Sequence, residues 1–221
     1  MEKVFRKITV SIFFMLFFVL APLLTAYSLG YRYDFDTGNI EFACRLWGLK
    51  AIDIMQGPVY GQIGWTRFDY DEYFGTVINR FVTQAIARLP LTIYGRGGQT
   101  RGYLPLKDSI QCLELVIKHL PQKDEYIVVN QFEGLYSINQ LANLVKEVGD
   151  KFKLDVQINS IENPRVEKEE HDYNVEHKKL LEWGYKPTTD MKAELRKMFK
   201  ILLSHKGRIR PAVIMPKTKW R

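Results

Sequence analysis

The 221-residue sequence contains little cysteine and little histidine, and no motif combines the two. Cys44 and Cys112 are its two cysteines; they form no Cys-x-x-Cys pair, and each falls on the apolar side of a predicted helix. The four histidines show no spacing typical of metal ligands. A disulfide framework and a zinc-finger-like site are therefore excluded, and we expect both cysteines to be buried as small apolar residues.

Acidic residues are fewer than basic ones, 25 against 32, and the net charge is +7. Such an excess can bind nucleic acid through counterion release. Much of it, however, falls between Lys186 and Arg221, where four cations recur on one helix face: Lys192, Arg196, Lys197 and Lys200. We interpret this region as a solvated helix surface and expect no nucleic-acid partner.

Long apolar runs are absent apart from one near the N-terminus. Ile8–Leu24 follows a short basic stretch and precedes Thr25-Ala26, an order typical of a signal peptide or a short membrane anchor. The run is marginal for spanning a hydrocarbon core of about 30 Å, which needs about 20 residues of helix. It predicts either membrane association through residues 8–24 or a segment foreign to the rest of the fold.

Glycine and arginine cluster in one stretch, Pro90–Asp108, with the sequence PLTIYGRGGQTRGYLPLKD. Leu91–Tyr94 and Gln99–Leu104 are β-prone, and the three glycines between them predict a turn that joins two short strands. Glycine lets the backbone approach a ligand closely, and the guanidinium groups of Arg96 and Arg101 suit an anionic oxygen. The stretch predicts phosphate or diphosphate recognition; its alternative is an exposed hairpin turn.

The same stretch carries a resemblance to a known family. The pattern Pro-Leu-x-Ile-Tyr-Gly-x-Gly-x-Gln-x-Arg-x-Tyr-Leu at 90–104 resembles the nucleotide-sugar loop of extended short-chain dehydrogenases, the family of UDP-sugar epimerases and dehydratases. Five further stretches resemble that family in the same order: Ile52–Gly61, Arg67–Phe81, Asn130–Phe132, Asn163–His171 and Ile214–Trp220. The resemblance runs from about Gly38 to the C-terminus and implies the second half of such an enzyme.

The resemblance implies an α/β fold, in which the C-terminal part of a Rossmann-type sheet and a small α/β substrate-binding lobe follow the apolar N-terminal helix. Three segments result. Residues 1–34 form the apolar segment, 35–66 the incomplete end of an NAD-binding domain, and 67–221 the nucleotide-sugar-binding domain. The resemblance also implies a cytoplasmic location, and it is compatible with a homodimer.

The stretches at 163–171 and 214–220 resemble the branch of the family that forms UDP-sulfoquinovose from UDP-glucose and sulfite. In that branch a tightly held NAD takes hydride from C4 of the sugar, which acidifies C5 so that water leaves and sulfite adds at C6. The resemblance implies nine substrate-binding residues: Arg67, Thr76, Asn79, Tyr94, Gln99, Arg101, Gln131, Arg165 and Glu167. It also implies three cofactor-binding residues: Gln56, Gly57 and Val59.

Within this set, Arg101 and Arg165 are expected to neutralise the diphosphate through charge-assisted, bidentate hydrogen bonds. The aromatic and amide groups of Tyr94, Gln99 and Gln131 are expected to orient the base or the sugar.

Two motifs of the family are missing. The catalytic Tyr-x-x-x-Lys should precede the helix at Asn39, but none of Tyr27, Tyr31 and Tyr33 is followed by lysine four residues later. The glycine-rich dinucleotide motif is also absent. We therefore assign no catalytic residue and expect the chain alone to be inactive, since proton transfer needs a group within hydrogen-bond reach. A truncation, a frameshift or a wrongly chosen start would explain both absences.

Two alternatives remain open at this point. A dTDP-glucose dehydratase or UDP-sugar epimerase would share the glycine-arginine loop but should lack the stretches Asn-Pro-Arg-Val-Glu and Ile-Met-Pro-x-x-x-Trp. The second alternative is a truncated, membrane-tethered domain that binds without catalysing.

Hydrophobic periodicity predicts the remaining elements. They are a helix that stops at Gly48, a strand at Lys50–Met55, an amphipathic helix from Phe74 that Pro90 terminates, strands at Tyr126–Val129 and Leu154–Ile158, and a helix at Asp190–Ser204.

Two capping boxes are also predicted, Asp108 with Gln111 and Ser137 with Gln140. The first should start a helix that reaches His119 and buries five apolar residues: Ile110, Leu113, Val116, Ile117 and Leu120. The second should start a helix that Gly149 ends.

Overall fold

The computed structural model describes residues 35–64, 66–163 and 176–215. Its helices are α1 Phe35–Trp47, α2 Val77–Ile86, α3 Leu106–Lys118, α4 Ile138–Lys151, α5 Lys178–Glu182 and α6 Met191–Ser204. Its strands are β1 Ala51–Gln56, β2 Val59–Tyr60, β3 Leu91–Tyr94, β4 Thr100–Pro105, β5 Tyr126–Gln131, β6 Gly134–Ser137 and β7 Ile158–Ile161. Two 3-10 turns, Lys206–Arg208 and Pro211–Val213, follow α6.

The strands of the described residues form three small sheets. β4 lies between β2, to which it is parallel, and β6, to which it is antiparallel. β3 is parallel to β7, with Leu91 opposite Ile158, and β1 pairs with β5. Parallel pairs connected through helices confirm the predicted α/β class.

The main apolar core lies among helices α2, α4 and α6 and strand β3. Phe81, Leu195 and Phe199 are 0% exposed, and Phe199 stacks on Phe152 with ring centroids 5.5 Å apart. Burying one such side chain stabilises the fold by roughly 1.5–3 kcal/mol. This core holds the first turn of α2 and the end of β3 in fixed positions.

The chain divides into two compact units. In the described residues, the first unit comprises α1 with the chain up to Asp53, and Pro121–Ile127. Within it, the hydroxyl of Tyr126 donates a hydrogen bond of 2.9 Å to the Asp53 carboxylate. The second unit comprises Ile54–Leu120 and the described residues after Ile127, and it contains the main core.

Several predicted features are confirmed. α1 stops at Gly48, whose φ of +67° lies in the left-handed region that glycine adopts without strain. The Ser137 and Gln140 capping box starts α4, and the Asp190 side chain accepts from the Ala193 N–H at the start of α6. Both cysteines are buried.

The basic residues of α6 are solvated as predicted: Arg196, Lys197 and Lys200 are exposed. Lys192 is partly exposed and pairs with Glu147 of α4 at 2.7 Å.

Helix α3 differs from its prediction. It starts after Pro105 without a side-chain cap, because Asp108 and Gln111 bond elsewhere. Asp108 accepts from the backbone N–H of Thr188, and Gln111 exchanges two hydrogen bonds with the backbone of Lys186. The predicted apolar face is wrong as well. Only Val116 of its five residues is buried, and four are exposed: Ile110, Leu113, Ile117 and Leu120.

Two boundaries also differ. Gly149 does not end α4; the helix continues to Lys151, and Gly149 packs so closely that an added Cβ would lie 2.7 Å from Val156 Cγ2. The strand predicted at 154–158 lies at Ile158–Ile161 instead, because Leu154 and Val156 enter the core as irregular chain.

None of the helices in 35–64, 66–163 and 176–215 is both long and apolar enough to cross a membrane. The predicted apolar segment at 8–24 lies outside these ranges.

Candidate functional site: a cationic cavity beside a glycine turn

The glycine turn joins two strands that belong to different sheets. β3 pairs with β7, whereas β4 pairs with β2 and β6, so the hairpin alternative is wrong. Gly95 and Gly97 have φ values of +64° and +68°. Because most residues are strained in this region, glycine is what lets the chain change sheets here.

Asn139, in the first turn of α4, holds the turn in place. Its backbone N–H donates to the Gly97 carbonyl at 3.0 Å, and its side-chain amide donates to the Arg96 carbonyl at 2.9 Å. A Cβ on Gly97 would lie 2.7 Å from Cγ2 of Ile93, so no larger residue fits. The turn is therefore anchored to the core through α4.

A cavity of about 290 Å³ lies beside this turn, in the second unit. Its walls come from the segment before α2, the first turn of α2, the end of β3 and the start of β4. Six lining residues matter for its chemistry: Thr76, Arg80, Tyr94, Gln99, Arg101 and Tyr103. The volume lies at the lower end of the range for small-molecule sites, roughly 300–1,000 Å³.

One wall is shaped by a turn at Asp71. The Asp71 carboxylate accepts from the backbone N–H groups of Tyr73 and Phe74 at 2.8 and 2.9 Å. The hydrogen bond from Phe74 is the largest cause that lowers the pKa of this carboxyl below its ordinary value. The Asp71 carboxylate is therefore ionised, and it holds the backbone of Tyr73 and Phe74 in place just before α2 begins.

Two arginines give the cavity its positive charge. Arg101 lies on β4 and Arg80 on α2, where Arg80 is 9% exposed. Burial raises the pKa of the Tyr103 hydroxyl to about 12, and the charges of Arg101 and Arg80 act in the opposite direction. The phenol of Tyr103 therefore lies in the field of both cations. With Glu72, the described lining carries two positive charges and one negative charge.

Two polar atoms of the cavity lining have no hydrogen-bond partner within the described part of the chain. They are Oγ1 of Thr76 and Oε1 of Gln99, and both are shielded from solvent. Buried polar atoms are usually satisfied, so these two can serve a ligand that donates hydrogen bonds, as a sugar hydroxyl or a base N–H does.

Four of the predicted substrate residues line this one cavity: Thr76, Tyr94, Gln99 and Arg101. Three others lie elsewhere. Asn79 is 6% exposed and ties Gly61 to the Asp69 carbonyl. Gln131 is fully buried and accepts from the Gln56 amide at 2.6 Å. Arg67 has a mostly exposed side chain that pairs with Asp69 and lies over the Phe74 ring, 5.9 Å from its centroid.

The predicted cofactor residues surround the end of β1. Gln56 also donates to the Ser109 hydroxyl at 2.8 Å, so its amide connects β1 to α3. Gly57 donates its N–H to the Gln131 carbonyl, and a Cβ there would clash with the Gly102 backbone, 2.8 Å from its carbonyl carbon. Val59 lies in the short strand β2. Packing against β4 thus already accounts for the glycine at 57.

Arg165 and Glu167 lie outside the described residues. Within those residues, no group of three histidine, cysteine, aspartate or glutamate side chains could hold a metal ion.

Arg80 and Tyr103 are cavity residues that sequence reasoning missed. Both fall inside the stretches that carry the family resemblance, at 67–81 and 90–104, so a signal for them existed. Periodicity obscured Arg80, because a cation on an amphipathic helix is normally assigned to the solvated face.

Curated proteins share much of this sequence. The chain is 49% identical over 196 residues to a UDP-sulfoquinovose synthase of Sulfolobus acidocaldarius, a match that covers 84% of the chain and 50% of that protein. It is 44% identical over 195 residues to the chloroplastic UDP-sulfoquinovose synthase of Spinacia oleracea, covering 84% of the chain and 40% of that protein. This chain is similar to UDP-sulfoquinovose synthases over most of its length. It spans about half the length, or less, of these two synthases, and no protein-family model matches it.

Solved structures show the same fold at lower identity. A UDP-glucose 4-epimerase of Thermotoga maritima, crystallised with UDP-glucose, aligns with a TM-score of 0.63 at 20% identity, over 78% of this chain and 52% of the epimerase. A dTDP-glucose 4,6-dehydratase of Streptomyces venezuelae with bound NAD aligns with a TM-score of 0.58 at 17% identity. The alignment covers 79% of this chain and 50% of the dehydratase. This chain therefore has the fold of part of a Rossmann-type epimerase or dehydratase.

Proposed function

We propose that this chain forms the substrate-binding part of a UDP-sulfoquinovose synthase and that its cavity binds UDP-glucose. The observation that carries the proposal is the convergence of Arg101, Tyr94, Gln99 and Thr76 on one cavity. Guanidinium for phosphate, an aromatic ring for a base and amide or hydroxyl groups for a sugar are the groups that such a ligand requires. The identity to two synthases supports the choice of sugar nucleotide.

Arg101 is proposed to bind the diphosphate together with Arg165. Asn163 lines the cavity, and Arg165 follows it two residues later in the sequence. This nearness in the sequence supports a role for Arg165 in binding the same ligand, and Glu167 is proposed to assist it.

The whole reaction is proposed to combine UDP-glucose with sulfite and to use NAD. The solved dehydratase with bound NAD supports that cofactor for proteins of this fold. Gln56, Gly57 and Val59 are proposed to contact it, and NAD is proposed to accept the hydride. No proton-transfer residue is assigned, since the Tyr-x-x-x-Lys motif was not found. For this reason the chain is assigned a binding role, and the first test is a binding test.

Isothermal titration calorimetry of the 221-residue chain with UDP-glucose tests the proposal. We expect one site per chain. Arg101→Met should weaken binding by at least tenfold, because a hydrogen bond to a charged group contributes about 1.5–3 kcal/mol. Arg196→Met on the exposed side of α6 is the matched control and should leave the affinity unchanged.

Two results would contradict the proposal. The first is no heat of binding at millimolar UDP-glucose with a chain that circular dichroism shows to be folded. The second is an equal affinity of the Arg101→Met and Arg196→Met variants. A titration with dTDP-glucose in parallel distinguishes a synthase from a dTDP-glucose dehydratase, because the synthase should prefer the uracil nucleotide.

A further inference from the structure

Two exposed aromatic residues, Tyr73 and Phe74, lie at the rim of the cavity. Both belong to its lining, yet Tyr73 is 71% exposed and Phe74 is 72% exposed. A single exposed apolar side chain is common on a protein surface and needs no explanation. Two adjacent rings beside a ligand cavity are different, because they provide a flat apolar surface that a ligand in the cavity can cover.

The backbone that carries the two rings is fixed. The Asp71 carboxylate accepts from the backbone N–H groups of Tyr73 and Phe74, and the Gly75 N–H donates to the Asp71 carbonyl at 3.0 Å. A Cβ on Gly75 would lie 2.5 Å from that carbonyl oxygen, so the chain can fold back this tightly only with glycine. The rings are thus held in position before a ligand binds, which lowers the entropic cost of binding.

The surroundings of the rings suit an uncharged, flat group. The guanidinium carbon of Arg67 lies 5.9 Å from the centroid of the Phe74 ring, and aromatic rings and arginines are the groups on which proteins stack bases. Arg67 also pairs with the Asp69 carboxylate and lies 3.9 Å from that of Asp71. Because these carboxylates balance its charge, the rim favours a base over a phosphate.

The size of the cavity also requires a rim contact. Its volume of about 290 Å³ is small for a ligand that consists of a base, two sugars and two phosphates. The glucose reacts and must therefore lie beside the cofactor, and Pro58 of the lining stands between the proposed cofactor residues Gly57 and Val59. The base does not react, so it is the part of the ligand that can lie at the exposed rim.

We propose that Tyr73 and Phe74 form a stacking surface for the uracil base of the ligand. The proposal rests on the proposed function, because it places one part of that ligand. Stacking depends on the planar face of a base, whereas hydrogen bonding depends on its edge. The affinity should therefore depend on the planarity of the base even when its hydrogen-bonding groups are unchanged.

A comparison of UDP with 5,6-dihydro-UDP isolates the stacking contribution. The reduced ring is neither planar nor aromatic, but it keeps the N3–H and both carbonyl groups. Calorimetry of the 221-residue chain should show that UDP binds at least fivefold more tightly than 5,6-dihydro-UDP. In NMR spectra, the H5 and H6 signals of bound UDP should shift upfield, because these protons lie over an aromatic ring.

Three double variants assign the preference to the two rings. Tyr73→Leu with Phe74→Leu should weaken UDP at least fivefold and 5,6-dihydro-UDP less than twofold. Tyr73→Phe with Phe74→Tyr keeps both rings and should keep the preference for UDP. The matched control is Phe42→Leu with Trp47→Leu, since these residues of α1 are 57% and 68% exposed and do not line the cavity. It should match wild type.

Other outcomes would overturn the proposal. If wild type binds UDP and 5,6-dihydro-UDP equally, or H5 and H6 do not shift, stacking is refuted and the proposed function stands. If the double leucine variant at 73 and 74 weakens both ligands equally, the two residues only shape the cavity and the inference is wrong. If wild type binds neither UDP nor UDP-glucose, the proposed function itself fails.

Folding of each variant is checked by a thermal melt. If the double leucine variant at 73 and 74 does not fold, the comparison of the two ligands and the NMR shifts in wild type decide the question, because they need no substitution.

Discussion

Helices α2 and α3 were predicted from the same kind of pattern, yet they differ in what they bury. α2 buries its polar residues together with its apolar ones, including Asn79 and Arg80. α3 buries Asp108 and Ser109 and leaves Ile110, Leu113 and Ile117 exposed. Periodicity therefore predicts that a helix forms, whereas the surrounding elements decide which face is covered.

The contrast arises from the neighbours of each helix. α2 packs against both α4 and α6, and its residues 78 to 86 are all buried, so its polar groups must find partners inside the fold. Gln84, for example, exchanges hydrogen bonds with the backbone and the hydroxyl of Thr92. On α3, Asp108 faces Tyr185 and Thr188, so the polar side of this helix points inward.

The largest expected effect separates the two helices directly. Phe81→Ala in α2 should lower the free energy of unfolding by about 3–5 kcal/mol, because it opens a cavity in a closed core. Ile117→Ala on α3 should change it by less than about 0.5 kcal/mol, because that side chain is 68% exposed. Urea denaturation measures both, and similar losses would show that the Ile117 side of α3 is covered.

A second prediction concerns the polar side of α3. Asp108→Ala removes an acceptor that binds the Thr188 N–H, the Thr188 hydroxyl and the Tyr185 hydroxyl. Since buried donors are then left unpaired, we expect a loss of about 2–3 kcal/mol. Glu114→Ala on the exposed side of the same helix is the control. If both substitutions cost the same, Asp108 does not anchor this helix.

The stability contributed by the turn at Asp71, which precedes α2, should depend on pH. Ionised Asp71 has a pKa below 3.8, so its stabilising contribution is complete above pH 3.8 and is lost as the pH falls through the lower, folded-state pKa. Asp71→Asn should cost about 1 kcal/mol at pH 6, because a hydrogen bond to a charged acceptor contributes roughly 1 kcal/mol more than one to a neutral acceptor. The difference from wild type in urea denaturation should shrink towards pH 2.5; a constant difference would contradict the assignment.

The smallest effect on stability is expected at the exposed apolar residues Ile117, in the last turn of α3, and Leu120, just after that helix ends. The double variant Ile117→Lys, Leu120→Lys should change the free energy of unfolding by less than about 0.5 kcal/mol. It should nevertheless bind less of a hydrophobic fluorescent dye, because it removes exposed apolar surface. Glu114→Lys tests the effect of added charge alone. Equal dye binding in all variants would mean that these two residues are not accessible.

The glycine turn shows how far sequence reasoning reached at the site. Leu91–Tyr94 and the strand after the turn were located within a residue, because β-prone residues and glycines give local signals. That the two strands join different sheets was not predictable from these residues. It depends on the pairing of β3 with β7, which is more than 60 residues away along the chain.

The site residues divide in the same way. Thr76, Tyr94, Gln99 and Arg101 were predicted through a resemblance that spans separate stretches, and the structure brings them to one cavity. Asn79 and Gln131 were predicted on the same basis but bond to the protein itself. A motif shows which residue types occur together. It does not distinguish residues that contact a ligand from residues that hold those contact residues in place.

The sequence by itself determined the positions of most helices and strands and the chemical character of the site, because caps, glycines and apolar periodicity act over a few residues. The tertiary structure alone decided which helix faces are buried, that the strands beside the turn separate, and that Arg80 meets Tyr94 and shares a cavity with Arg101. These features require residues distant in the chain to meet, and the free energy of such contacts depends on the whole packed core instead of on any local pattern.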